Sequence, residues 1–226
     1  MQKRSVVDQV MESIIQDIIE GRLSPGDRLP TETELSRRMG AGRNSVREAI
    51  KKLEAYGVCY IRRADGTFVN EHYSQKMLDP ILYSIILQKN SWNDFVEMRR
   101  VIDTGTLHVV VGRQGLPANL QELRAALTAL EKAVRSPLPK ADVIMDCDTH
   151  FHNLITEATG NPQLASISDY VTRLTIPSRA RTLQKILRQG DLDNFISLHR
   201  QLLEIIETKR ADLIDPAVND HYMYWK

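Results

Sequence analysis

At 226 residues, with 42% hydrophobic and 26% charged side chains, the chain is sized for one or two globular domains with their own cores. Its formal charge of +1 gives by itself no reason to expect nucleic acid. No apolar run reaches the ~18 residues of a membrane-spanning helix, and the N-terminus MQKRSVVDQVMESII lacks the unbroken apolar core and small-residue cleavage site of a secretory signal. The two cysteines, Cys59 and Cys147, lie far apart in no metal-binding or redox spacing, which suits free thiols in a reducing compartment. The expected location is the cytoplasm.

In chain order, Val7, Val10, Met11, Ile14, Ile15, Ile18 and Ile19 follow the three-and-four spacing of an amphipathic helix that stops at Gly21. Pro25-Gly26 and Pro30 then mark a turn. Thr31 and Glu34 have the form of a capping box for a second helix, with Leu35 and Met39 facing the core and Gly40 and Gly42 ending it. A third helix begins near Arg43. Its Val46, Ala49, Ile50 and Leu53 form a buried stripe, and Arg43, Arg47 and Lys51 line a different face with Asn44 beside them. Between Arg37 and Lys52, six basic residues face one acid, Glu48. Two short helices joined by a glycine turn, the second with a basic face, read as a helix-turn-helix. Two β-prone runs, Tyr60 to Arg62 and Thr67 to Val69, flank an Ala-Asp-Gly turn and read as a wing.

This stretch resembles the winged helix-turn-helix domain of the GntR family of bacterial transcription regulators. The resemblance is carried by the Pro25-Gly26 turn, Leu29-Pro30, the Arg43-x-x-x-Arg47-Glu-Ala run and Gly66-Thr-Phe-Val69, over about sixty residues. It implies that the third helix enters the major groove of DNA. Arg43 and Arg47 are then the candidates for paired hydrogen bonds to guanine, and Asn44 and Ser45 for bases or backbone. Lys51, Arg37 and Arg38 are candidates for phosphates, and Arg62, Arg63 and Gly66 for the approach of the wing. Where the family commonly has Val-Ser, this chain has Ala41-Gly42, so the recognition helix lacks a capping hydroxyl and its phosphate contact.

Residues 1–70 form the expected DNA-binding domain and 71–78 a polar connection. Beyond it the periodicity is helical over about 79–89, 91–113, 118–135, 140–159, 162–188, 191–208 and 211–224, with breaks at Gly115-Pro117, Ser136-Pro139, Gly160-Pro162, Gly190 and Asp215-Pro216. The expected fold is mainly α: a winged helix-turn-helix followed by an all-helical bundle of six or seven helices over 79–226. Within it, Asp148 and His152 lie four apart on one helical face, while His150 points elsewhere. On spacing alone that pair is more often a simple hydrogen bond than half of a metal site.

The run Asp148-Thr-His-Phe-His152, with Asn161 after a glycine, resembles the FCD effector-binding domain of FadR-type GntR regulators. That resemblance implies a divalent metal held by Asp148, His152, His199 and His221, a donor set that suits zinc, nickel, manganese or iron. Glu97 and Arg99 also match the FCD pattern, with Asp103 in place of a glutamate. Arg99, and less directly Arg173 and Asn161, become candidates for holding a small carboxylate effector. Thr104, Gly105 and His108 replace an alanine-rich run, with His108 expected to be partly buried. The implied protein is a homodimeric, metabolite-responsive repressor of double-stranded operator DNA. Two alternatives use the same residues: a regulator for which the ion is itself the signal, and a metal-dependent enzyme with activated water, for which no further acid or base stands out.

Overall fold

The protein is described from a computed structural model, which covers residues 4–72 and 92–225. The chain divides into two compact units, residues 1–87 and 88–226.

In the first unit, α1 (Val6–Ile19) starts from a capping box in which Ser5 and Asp8 bond each other's backbone. Helix α2 (Glu32–Met39) starts from the expected Thr31–Glu34 box and ends at Gly40, whose φ of 61° is left-handed. Helix α3 (Arg43–Ala55) follows two residues later, with Gly42 at its N-cap and no side-chain cap. Strands β1 (Cys59–Arg62) and β2 (Gly66–Val69) pair antiparallel, Cys59 opposite Val69 and Arg62 opposite Gly66. The sequence did not announce that the Pro25–Pro30 turn runs beside β2. The Gly26 N–H donates to the Val69 carbonyl at 3.0 Å and that of Leu29 to Thr67 at 2.8 Å. Val10, Ile14, Leu35, Val46, Ile50, Leu53 and Val69 close one core beneath the three helices and the wing.

A buried acid locks that core's edge. Asp17, at the end of α1, is 5% exposed and lies 2.7 Å from Arg22 Nε and 2.8 Å from Arg38 Nη2. Arg38 also bonds Ser13, so its guanidinium is engaged within the domain and is not a free phosphate contact.

In the second unit, α4 (Trp92–Gly112), α5 (Leu120–Val134), α6 (Ala141–Glu157), α7 (Pro162–Gln189), α8 (Leu192–Thr208) and α9 (Ile214–His221) match the expected helices closely. The last expected helix is instead divided: Ala211–Leu213 and Met223–Trp225 are 3₁₀ turns on either side of α9. The helix expected over 79–89 and most of the 71–78 connection lie outside the described residues. Among the described residues no helix is long and apolar enough to cross a membrane.

Two apolar clusters fill this unit. One joins Leu107, Val110, Leu123, Phe151, Leu203, Ile206 and Ile214; the other joins Leu130, Val134, Ile144, Leu183 and Ile196. On α6, Asp148 falls between Ile144 and Phe151, and on α8, His199 falls between Ile196 and Leu203. The polar groups therefore sit where the two clusters meet.

Two predictions follow from these environments. Asp17→Asn leaves two guanidiniums facing a neutral amide, and should lower stability by about 1–3 kcal/mol, read as a shift of the urea midpoint. Burial, with a contribution from Glu54, pushes the Cys59 thiol up to about 11. Roughly a thousandth of it is thiolate at pH 8, so a thiol reagent should label the partly exposed Cys147 first and Cys59 only on unfolding.

Candidate DNA-reading face and candidate metal centre

On α3, Arg43, Asn44 and Arg47 are exposed and Ser45 is half-buried, while Val46, Ala49 and Ile50 anchor the opposite face. Arg47 is held by Glu32 of α2, Nη2 to Oε2 at 2.8 Å, with 63% of its side chain exposed. This hydrogen bond, against slight burial, keeps the Glu32 carboxyl below its usual range. Lys51 pairs with Glu54 at 2.8 Å. On the wing, Arg62 pairs with Asp65 at 3.0 Å, and its guanidinium lies 4.7 Å from the Phe68 ring centre, a cation–π contact that stiffens the turn. Arg37, Arg43 and Arg63 are exposed, and among the described residues no carboxylate lies within ion-pair reach of them.

Arg47, Lys51, Arg62 and Arg63 border a cleft of about 410 Å³ between α3, the start of α2 and the wing. Gly66 lies there too, with φ of 144°, and Arg28 Nε sits 2.7 Å from where a Cβ would be. Within the protein, the missing side chain makes room for Arg28.

The second site lies in the bundle. The ligand atoms of His152 (α6), His199 (α8) and His221 (α9) all lie within 4.8 Å of one another. Asp148 is outside that group but touches two of its members: Oδ1 is 2.7 Å from His199 Nε2 and 3.5 Å from His152 Nε2. His150 is exposed on the other side of α6.

The ring of His199 is fully buried, with Nδ1 2.7 Å from the Phe195 carbonyl. Its Nε2 is in hydrogen-bond contact with Asp148 Oδ1, the position from which a ring nitrogen and a carboxylate could hold a cation together. His221 Nδ1 is buried with no hydrogen-bond partner among the described residues. Burial pushes His152 down and His221 well down, so both imidazoles favour the neutral form that a metal requires. Three imidazoles, a carboxylate and an orphaned ring nitrogen fit a first-row divalent cation.

Sequence reasoning missed Arg179 of α7. It is 4% exposed and its Nη2 donates to Asp148 Oδ2. Burial pushes the Asp148 carboxyl up, but the Arg179 charge and hydrogen bonds from His152 and His199 outweigh it and hold the group well below its ordinary value. A signal was present: Thr172, Thr175, Arg179, Leu183 and Ile186 share one buried helical stripe, and an arginine there must meet an anion. Arg99, also 4% exposed, donates to Thr175 Oγ1 at 3.0 Å and lies 3.6 Å from Asp103, whose Oδ2 accepts from the Tyr222 hydroxyl at 2.6 Å. Arg99, Asp148, Arg179, His152 and His221 border one cavity of about 40 Å³.

Other candidates fall elsewhere. Arg173 is exposed, 3.3 Å from Asp169 one turn earlier on α7, and lines no part of that cavity. Asn161 is the N-cap of α7, its side chain accepting from the Gln163 and Leu164 N–H groups, the usual work of an asparagine before a helix-starting proline. His108 is exposed rather than partly buried, 3.6 Å from Asp215. Glu97 is exposed.

Residues 6–69 match the family described as bacterial regulatory proteins, gntR family, and residues 94–223 match the FCD domain. The chain is similar to the HTH-type transcriptional regulator Mce2R of Mycobacterium tuberculosis, 28% identical over 91% of this chain and 92% of that one. It is also similar to the HTH-type transcriptional regulator LutR of Bacillus subtilis, 24% identical over 73% of each. The solved structure of a Streptococcus agalactiae GntR protein covers 97% of this chain and 98% of its own with a TM-score of 0.63 at 23% identity, a likeness of fold. The chain belongs to the GntR family, as a transcription regulator that joins a DNA-binding helix-turn-helix domain to an FCD domain, and is not an enzyme.

Proposed function

We infer that this regulator is a FadR-type, metabolite-responsive repressor that binds operator DNA as a homodimer. Residues 1–70 bind DNA, 71–78 connect, and 79–226 hold a divalent metal and a small carboxylate and carry the dimer contact. The observation that carries the reading is the convergence of Asp148, His152, His199 and His221 on one buried site beside Arg99, in a chain whose other unit exposes Arg43 and Arg47 on a helix-turn-helix.

In the DNA-binding half, α3 lies in the major groove. Arg43 and Arg47 donate to guanine O6 and N7, and Asn44 and Ser45 reach bases or backbone. Arg37, Lys51, Arg62 and Arg63 meet phosphates, and the wing approaches through Gly66. In the other half, Asp148 and the three histidines hold the cation, which supplies a Lewis-acid site for carboxylate oxygens. Arg99 orients the acid by charge-assisted hydrogen bonds. Arg173 and Asn161 have no part in this arrangement. An acid that binds two dimer geometries unequally shifts operator affinity by the difference in its binding free energy.

An operator is obtainable by selection from a randomised duplex pool. On it, Arg47→Ala should weaken specific binding by about 1–3 kcal/mol at fixed salt, measured by fluorescence anisotropy. Arg63→Ala should weaken specific and non-specific duplexes alike and flatten the log K against log salt slope by about 1. Unchanged specific binding by Arg47→Ala would remove α3 as the reading helix.

For the metal, competitive titration with zinc should show His199→Ala and His221→Ala each weakened at least ~100-fold, since losing even an outer-shell partner costs ~10–100-fold. Full metal affinity in both variants would end the four-ligand reading. Operator affinity that changes with metal alone, without any organic acid, would make the ion itself the signal.

A further inference from the structure

We propose that the acid recognised beside Asp148 is a short dicarboxylate, and that Arg179 is the partner of its second carboxylate. The proposal rests on the carboxylate reading above and names the ligand class within it.

Two guanidiniums, Arg99 and Arg179, each 4% exposed, border the same cavity. Their commitments differ. Arg99 is engaged by the Thr175 hydroxyl at 3.0 Å and by Asp103 at 3.6 Å. Arg179 gives one N–H group to Asp148, while its Nη1 is buried with no hydrogen-bond partner among the described residues. A buried cationic donor left unmatched is costly, and the group that satisfies a guanidinium edge is a planar pair of oxygens.

Charge accounting points the same way. In the described arrangement Asp148 and Asp103 offset Arg179 and Arg99. A divalent cation among neutral imidazoles leaves an excess of two positive charges in a buried site. A monocarboxylate cancels one of them and a dicarboxylate both. Asp148 is moreover contested: as its carboxylate turns to a cation, its hold on Arg179 weakens, and the freed guanidinium already borders the cavity.

Size decides what must move for the acid to enter. A cavity of about 40 Å³ has room for two or three waters and not for an organic acid, so entry requires a lining side chain to give way. Arg179 is the lining arginine with an uncommitted N–H. Leu183, Ile186 and Leu198 close the apolar side of the cavity, and Thr182 and Tyr224 also line it.

The test is isothermal titration calorimetry of the zinc-loaded full chain with L-lactate and L-malate, which share a 2-hydroxy acid head and differ by one carboxylate. Malate should bind at least about tenfold more tightly. In Arg179→Gln that preference should fall below about threefold, and Arg179→Lys should keep part of it. Equal affinity of the unaltered chain for the two acids overturns the proposal without any variant, as does an undiminished malate preference in a folded Arg179→Gln protein; in both cases the carboxylate reading stands. Failure of both acids to bind a chain carrying stoichiometric zinc overturns the proposal and the carboxylate reading together.

Discussion

The helical unit is organised around one buried negative charge. Asp148 has 13% of its side chain exposed, too little for water to solvate it, and a carboxylate removed from water is tolerated only when ion pairs and hydrogen bonds replace that solvation. Here the replacements come from three helices: His152 from its own helix α6, Arg179 from α7 and His199 from α8. Those helices are joined there by a charge that demands partners, with apolar packing on either side of it. Whatever cation Asp148 faces, a guanidinium or a metal, therefore bears directly on how α6, α7 and α8 pack. A site with this property is suited to reporting occupancy, because exchanging the cation cannot leave its neighbours indifferent.

The DNA-reading unit follows the opposite rule on its surface. Its scaffold is fixed by a buried clamp, Asp17 with Arg22 and Arg38, and by fully buried Leu35 and Leu53. The exposed face of α3 carries solvent-screened pairs, Arg47–Glu32 and Lys51–Glu54, which contribute little to stability. Such pairs orient long side chains at small cost and, on the reading that α3 enters the major groove, are exchanged readily for contacts to guanine or phosphate. The absent cap at Gly42 fits the same division, since the first N–H groups of α3 are left without a side-chain acceptor at the end of the helix that carries Arg43 and Arg47.

What the sequence disclosed was whatever is encoded within about one or two helical turns. The Thr31–Glu34 box, the Val46–Leu53 stripe, the wing strands and the bundle helices each rest on spacings of three or four residues, or on Gly and Pro at their ends, and the structure has them nearly where the pattern put them. At Asn161 and Arg173, polar residues near a motif, the structure shows local contacts: Asn161 caps α7 and Arg173 pairs with Asp169. Arg179 stayed hidden because its partner is 31 residues away, and the Arg38–Asp17 clamp because nothing in either residue's neighbourhood names the other. His199 and His221 were found only because the FCD resemblance supplied their long-range relation. Periodicity placed each on a helix and could not bring them together.

The short C-terminal helix shows how such a site can act beyond itself. Helix α9 has eight residues, too few to persist without tertiary contacts. Ile214, Ala217 and Val218 seat it in the main apolar cluster, and Tyr222, just past its end, donates to Asp103 of α4. Arg100 of α4 adds a hydrogen bond to Asn219. His221 closes the helix with a buried ring nitrogen that has no hydrogen-bond partner among the described residues. On the metal-binding reading, that nitrogen's neighbourhood is where α9 is joined to α6 and α8, so binding free energy at the imidazoles becomes docking free energy for α9. Tyr222 and Arg99 both contact Asp103, which places α4 at one remove from the same event. On the carboxylate-binding reading, Arg99 and the terminal helix share Asp103 of α4, and a ligand that engages Arg99 alters the electrostatic partner of Tyr222.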